Sequence, residues 1–415
     1  MKKHIAPTIP NRRMIGSVTV FACCLCLNSQ PALAAPGSWT PKAPMPKAIG
    51  VHAACAVDGI LYVVGGDDGT NIQSMHQLRT LFAYDPKTDV WTQKKDMPTP
   101  RRYLAAAVVD GIIYAIGGGG GPDPVTGAVE AYDPKTDTWV AKTGMLTPRC
   151  FHNACAVNGI IYTIGGVKAV GGNSVVVKTV EAYDPKTDQW TPKTDLPIAA
   201  YFGGDQVVNG LIYACYGKQT FAYDPQTDHW TTNAPIPAAW SYNSRAPASS
   251  VVDGIVYLFG GDSADMYTTY KLTLAYDPVQ DKFTAKRLMP TNTLAAAAAT
   301  IDGKIYITGG ANSDPGVYDP IAVYNSLWVF DPQGGVAPQI QSLTVEGANS
   351  VRLAWQGEAG RLYGAESAQN PKGPWTRLVL STGTTTILAT NASVEATCNI
   401  STTVQKRFFR VLEAN

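Results

Sequence analysis

The stretch Arg149-Cys150-Phe151-His152-Asn153-Ala154-Cys155-Ala156-Val157-Asn158-Gly159-Ile160-Ile161-Tyr162-Thr163-Ile164-Gly165-Gly166, followed after a loop by Val180-Glu181-Ala182-Tyr183-Asp184-Pro185-Lys186-Thr187-Asp188-Gln189-Trp190, is one copy of a unit written six times. Asn158-Gly159 is the dipeptide a two-residue hairpin turn prefers, because both central residues take positive φ. Equivalent turns are Asp58-Gly59, Asp110-Gly111, Asn209-Gly210, Asp253-Gly254 and Asp302-Gly303. Each joins a small-residue strand to an apolar strand such as Ile60 to Val64. Five of the second strands end in Gly-Gly, at 65–66, 117–118, 165–166, 260–261 and 309–310; the fourth ends in Tyr216-Gly217.

A third strand follows and closes in Tyr-Asp-Pro at Tyr84, Tyr132, Tyr183, Tyr223 and Tyr276, with Phe330 in the sixth copy. Asp-Pro-x-x-Asp is turn chemistry. A fourth strand then carries Trp91, Trp139, Trp190, Trp230 or Phe283. The sixth copy lacks this strand, while Ser38-Trp39-Thr40-Pro41 is a fourth strand with no copy before it. The mismatch implies a closed ring in which the N-terminal strand completes the last blade, which hides sheet edges.

These marks resemble the kelch repeat, whose period of roughly 50 residues also fits. The resemblance covers about residues 38–332. It implies an all-β chain: a six-bladed kelch β-propeller closed by an N-terminal strand, followed by a small β-sandwich. The expected division is 1–34 signal peptide, 35–335 propeller and 336–415 sandwich. The last part shows strand-like segments at Val351 to Trp355, Leu362 to Ser367, Trp375 to Leu378 and Arg407 to Val411, and loosely resembles the fibronectin-type modules of secreted bacterial proteins.

The N-terminus reads as an export signal. Lys2, Lys3, Arg12 and Arg13 precede an apolar core from Ile15 to Leu27, and Ala32-Leu33-Ala34 suits cleavage after Ala34. Asn11-Arg12-Arg13-Met14-Ile15 is also compatible with a twin-arginine signal. The expectation is a secreted, periplasmic or cell-surface monomer. Removing the leader's four cations from 33 Lys and Arg leaves 29, against 32 Asp and Glu, a net charge near −3. That gives no footprint for nucleic acid. No apolar run reaches the roughly 20 residues of a membrane helix. Five cysteines remain after the leader, an odd number with no CxxC pair, so neither a disulfide framework nor a zinc site is expected. No cofactor or metal is implied; His52 and His152 share one register and read as packed side chains.

Connectivity puts the Asp-Gly and Asp-Pro-x-x-Asp turns on one face and the variable loops on the other. Variable loops on a rigid ring are the usual place for a site. Candidate ligand-binding residues before the first strands are Arg101, Arg149, Tyr201, Trp240, Tyr242 and Arg245. The arginines either brace neighbouring blades or converge over the channel mouth, where an acidic glycan or peptide would suit them. Asp205 on an inner strand is either solvated by a wet channel or acts as general acid, base or ligand anchor, beside Gln206. No catalytic residue is assigned beyond this candidate. The expected function is a binding module for a carbohydrate or protein ligand. A second possibility is a sugar-active enzyme, since exported kelch propellers resembling sialic-acid mutarotases use a six-bladed ring. A copper radical oxidase, also built on a kelch propeller, needs tyrosine, histidine and cysteine ligands that this chain does not present as a set.

Overall fold

The computed structural model describes residues 37–69, 77–119, 125–237, 247–261, 269–312 and 322–334 in full, and the backbone of strands between 340 and 414. The expected signal at 1–34, and its cleavage site, lie outside the described residues. Among those described there is no helix, and six four-stranded antiparallel sheets make the blades. Blade one is Ala53–Val57, Ile60–Val64, Leu81–Asp85 and Val90–Lys94. The inner strands of successive blades touch one another in a circle that returns from blade six to blade one. Ser38–Lys42 pairs with Leu327–Asp331, so the N-terminal strand is the outer strand of blade six, as the orphan segment implied. Beyond the propeller, Ile340–Gly347, Ser350–Gln356 and Ser393–Asn399 form one antiparallel sheet. Leu362–Ala368 pairs with Thr376–Arg377, Ile387–Leu388 and Phe408–Ala414 in a second.

The Asp-Gly and Asn-Gly turns take the left-handed conformation expected of them, with φ of 52° at Asn158 and 81° at Gly159. Inner-strand side chains alternate between two seams. Cys55 and Val57 pack with Ala106 and Val108 of blade two, whereas Ala54 and Ala56 pack against blade six. Small residues suit this strand because both of its faces meet a neighbouring blade.

A repeated clip joins the outer edges. The phenol of Tyr183 donates to Asp188 at 2.6 Å, and the same carboxylate accepts the Thr143 backbone N–H at 2.9 Å. Trp190 closes the loop by donating its indole N–H to the Thr143 carbonyl at 2.9 Å. One residue leaving the preceding blade is thus held by both its amide hydrogen and its carbonyl. Tyr84, Asp89 and Trp91 hold Ala43 in the same way; Tyr132, Asp137 and Trp139 hold Lys95; Tyr223, Asp228 and Trp230 hold Thr194. In blade six Phe330 has no hydroxyl, and Trp39 alone reaches across, to the Arg287 carbonyl at 3.2 Å.

On the opposite face the double glycine receives the strap of the next blade. Gly166 N–H donates to the Ala200 carbonyl at 2.8 Å. Its φ is 103°, and a Cβ there would lie 2.7 Å from the Cys150 carbonyl oxygen. Blade four departs from this pattern. Its second strand extends to Tyr216, which pairs directly with Gln219, so only Gly217-Lys218 turn the chain. The Tyr216 ring fills the space a side chain at Gly203 would need.

Two outcomes follow for stability. Asp188→Ala strands the buried Tyr183 hydroxyl and the Thr143 amide and should cost about 1–3 kcal/mol in urea unfolding. The phenol hydrogen bond is the main reason the carboxyls of Asp89, Asp188 and Asp281 sit below the ordinary 3.8. Their stabilisation is therefore complete above that value and is lost as pH falls through the lower folded-state value. A melting series from pH 6 to pH 2 should show a steeper loss for wild type than for Asp188→Ala.

Candidate functional site

Seven positions before each hairpin turn lies a column of residues: Val51, Tyr103, Phe151, Phe202 and Ala295, with Ala246 of blade five outside the described residues. All five described members are left-handed, with φ between 52° and 58°. For valine and aromatic residues that is strained, at a cost of about 1–3 kcal/mol each, and persists only where the surroundings impose it. What imposes it is a belt of backbone hydrogen bonds around the channel. Val51 N–H donates to Ala295 O, Tyr103 to Val51, Phe151 to Tyr103 and Phe202 to Phe151, at 2.9–3.1 Å.

The belt lines up three aromatic side chains at the channel mouth on the loop-bearing face. Ring centroids of Tyr103 and Phe151 are 3.9 Å apart, and those of Phe151 and Phe202 4.5 Å. Tyr201 extends the arc, 6.1 Å from Phe151. Arg102 lies with its guanidinium carbon 4.8 Å from the Tyr103 centroid and pairs with Asp67 at 3.3 Å. A cavity of about 100 Å³ opens here, lined by the three aromatics, Val51, the ring of residues after the belt, and Asn153.

The polar side of the cavity is the seam between blades three and four. Asn153 donates its amide hydrogens to the Gly203 carbonyl at 2.9 Å and the Tyr216 hydroxyl at 3.3 Å. Behind this wall, Tyr216 donates to Asp205 Oδ2 at 2.8 Å. Asp205 is 5% exposed, and Oδ1 has no partner of proper geometry. Burial pushes its carboxyl up to about 7, with the Tyr216 and Asn153 contacts pulling the other way. The idea of a wet channel solvating Asp205 is thus corrected: the side chain is buried in the seam beside Tyr216. Gln206 points to the other seam and bonds Ser249 of blade five.

The arginine expectation is also corrected. Arg101 and Arg149 are each 0% exposed, inside their own blades. Arg101 pairs with Glu130 at 2.8 Å and caps the carbonyls of Gly117 and Ala128. Arg149 pairs with Glu181 at 2.9 Å and bonds Thr163. Neither lines the cavity at the mouth; each bonds backbone carbonyls of its own blade, and removing one partner of such a pair typically costs about 3–5 kcal/mol. Trp240, Tyr242 and Arg245 lie outside the described residues. Tyr201 alone of the aromatic and arginine candidates is placed at the mouth.

The histidine rings tuck between blades. His52 Nε2 meets Thr308 Oγ1 at 2.8 Å, and the His152 ring packs beneath Gly117. Burial lowers the basicity of both, His52 to about 4. Among the described residues no group of three or more His, Cys, Asp or Glu could hold a metal. The sequence reading missed Tyr103, Phe151, Phe202, Asn153 and Tyr216. Aligning the copies on their turns shows the aromatic column, but a column of mixed Val, Tyr, Phe and Ala carries no chemical motif until the belt curls it around one axis.

Comparison with known proteins agrees with this architecture. The family model of the KLHDC2/KLHL20/DRC7 Kelch-repeats domain matches residues 34–199. Kelch-like ECH-associated protein 1A of Danio rerio is 42% identical over 65 residues, 16% of this chain and 11% of that protein. Kelch-like protein terF of Aspergillus terreus is 39% identical over 84 residues, 20% of this chain and 18% of that protein. The chain thus spans under a fifth of either relative. A solved structure, "Structure of YjhT", superposes with a TM-score of 0.57 at 16% identity, covering 68% of this chain and 95% of its own. With six copies of the repeat closing one ring, and with a kelch-repeat model matching residues 34–199, the chain carries kelch repeats and folds as a six-bladed β-propeller.

Proposed function

We propose that this protein is a binding module that takes its ligand at the channel mouth on the loop-bearing face. The observation that carries the reading is the aromatic arc of Tyr103, Phe151 and Phe202, held on a strained belt over a cavity. Strained backbone and half-buried aromatics together are what a recognition surface needs and a scaffold turn does not. A volume near 100 Å³ admits one protruding group, a sugar substituent or a peptide side chain, with the rest of the ligand lying on the variable loops. The opposite face repeats the same clipped turns. The basic leader and Ala32-Leu33-Ala34 site support export, with the module acting outside the cytoplasm as a monomer.

A second reading, a sugar-active enzyme, is favoured by one observation. Asp205 is held near neutrality at 2.8 Å from a phenol, just behind the cavity wall. A group poised there can give and take a proton at physiological pH, the requirement for opening or anomerising a sugar ring.

Three measurements decide between these readings. On combined glycan and peptide arrays, Phe151→Ala should lose at least tenfold in binding, about 1.4 kcal/mol, while Lys186→Ala on the opposite face binds as wild type. Equal binding by Phe151→Ala and wild type would remove the mouth from consideration. In an NMR assay of α/β interconversion of reducing sugars, the enzyme reading requires a rate above buffer that Asp205→Asn abolishes. Sequencing the N-terminus of exported protein should start at Ala35.

A further inference from the structure

Among the described residues, three arginines near the mouth are paired. Arg101 is paired with Glu130, Arg149 with Glu181 and Arg102 with Asp67. Among the described residues, Asp205 is the one buried carboxyl without a cationic partner. Four side chains from two strands face it. Asn153 and the Cys155 thiol come from the inner strand of blade three, and the Cys215 thiol and Tyr216 phenol from its own blade's second strand. Burial holds both thiols and the phenol in their protonated forms. The positive charge of Arg149 reaches Tyr216 but is matched by Glu181. Nothing in the described surroundings neutralises Asp205 once it ionises, and an isolated buried carboxylate is costly.

The cavity surface has a matching bias. Asn153 turns its amide hydrogens inward, to Gly203 and Tyr216, so its own oxygen is what that side chain has left to offer. The Gly203 carbonyl is a second acceptor in the same wall. The rings of Tyr103, Phe151 and Phe202 line the same cavity, and aromatic rings attract cations. The arc already receives one guanidinium, that of Arg102, over Tyr103. Acceptors, ring faces and an uncompensated carboxyl all favour a ligand that donates hydrogen bonds and carries positive charge.

We propose that the channel mouth seats a single cationic head group, a primary ammonium or a guanidinium. The head group rests against the Tyr103–Phe151–Phe202 arc, with the Asn153–Gly203 wall beside it and the Asp205 carboxylate behind that wall. This rests on the mouth being the ligand site and deepens that reading by naming the ligand's chemistry. It reverses the acidic ligand that the arginines suggested, because Arg101 and Arg149 are paired inside their blades. Asp205 acts as a buried charge behind the wall rather than as a contacting group. A cation therefore binds its ionised form best, and affinity rises as pH climbs through the carboxyl's value near 7.

The test is calorimetric titration of the full chain with agmatine, which carries one guanidinium and one ammonium, at pH 6 and pH 8 and constant ionic strength. The expected result is one site, up to about tenfold tighter at pH 8. Asp205→Asn should bind weakly and equally at both pH values. Phe151→Leu should weaken binding at both while keeping the pH dependence. Tyr216→Phe removes a hydrogen bond that favours the carboxylate, so it should move the pH dependence upward; it serves if Asp205→Asn fails to fold. Absence of agmatine binding, or binding that ignores both pH and Asp205, overturns the proposal. Binding of glucuronic acid instead, abolished by Phe151→Leu, overturns the cationic class and leaves the mouth as the ligand site. A failure of the arrays to depend on Phe151 removes the mouth itself.

Discussion

The structure depends on a three-residue clip at the outer edge of four of the six blades. A tyrosine, an aspartate five residues on and a tryptophan in the next strand seize one residue of the preceding blade by both its amide and its carbonyl. A propeller has no single core, only seams, and each seam must set the angle between two sheets. Side chains packed in a seam are non-directional; the hydrogen bonds that one residue's amide gives to a carboxylate and its carbonyl accepts from an indole are directional. The Tyr-Asp-Pro-x-x-Asp and Trp signals recur because that geometry recurs. The clip is incomplete in blade five, where Phe283 has no indole, and in blade six, where the chain itself closes the ring through Ser38–Lys42.

Holding the blades from outside frees the inner ends for other uses. There the straps cross from blade to blade, and the double glycines let them approach so closely that a Cβ would touch a carbonyl oxygen. The same crossing forces the belt of left-handed residues at the mouth. Strain at those positions is sustained by the ring as a whole, since each belt hydrogen bond ends on the next blade. Blade four uses this freedom most. Tyr216 replaces a glycine, Gly203 gives way to its ring, Asn153 of blade three bonds its hydroxyl, and Asp205 accepts its proton. Four departures from the repeat that look unrelated along the chain form one polar network in a seam.

The sequence determined the blade count, the closing strand and the two faces, because each rests on local signals: turn dipeptides, alternating strands and the number of copies. It also showed where the copies differ, and Asp205 stood out on that ground alone. Only the tertiary structure decided what those differences mean. Arg101 and Arg149 have the chemistry of ligand contacts, yet they lie sealed beside Glu130 and Glu181, more than two dozen residues away in the chain. Phe151 has no motif around it, yet the belt brings it against Tyr103 and Phe202 from two other blades. Direction of a side chain at a strand end is set by which neighbouring blade it meets. That depends on ring closure, which no single repeat encodes.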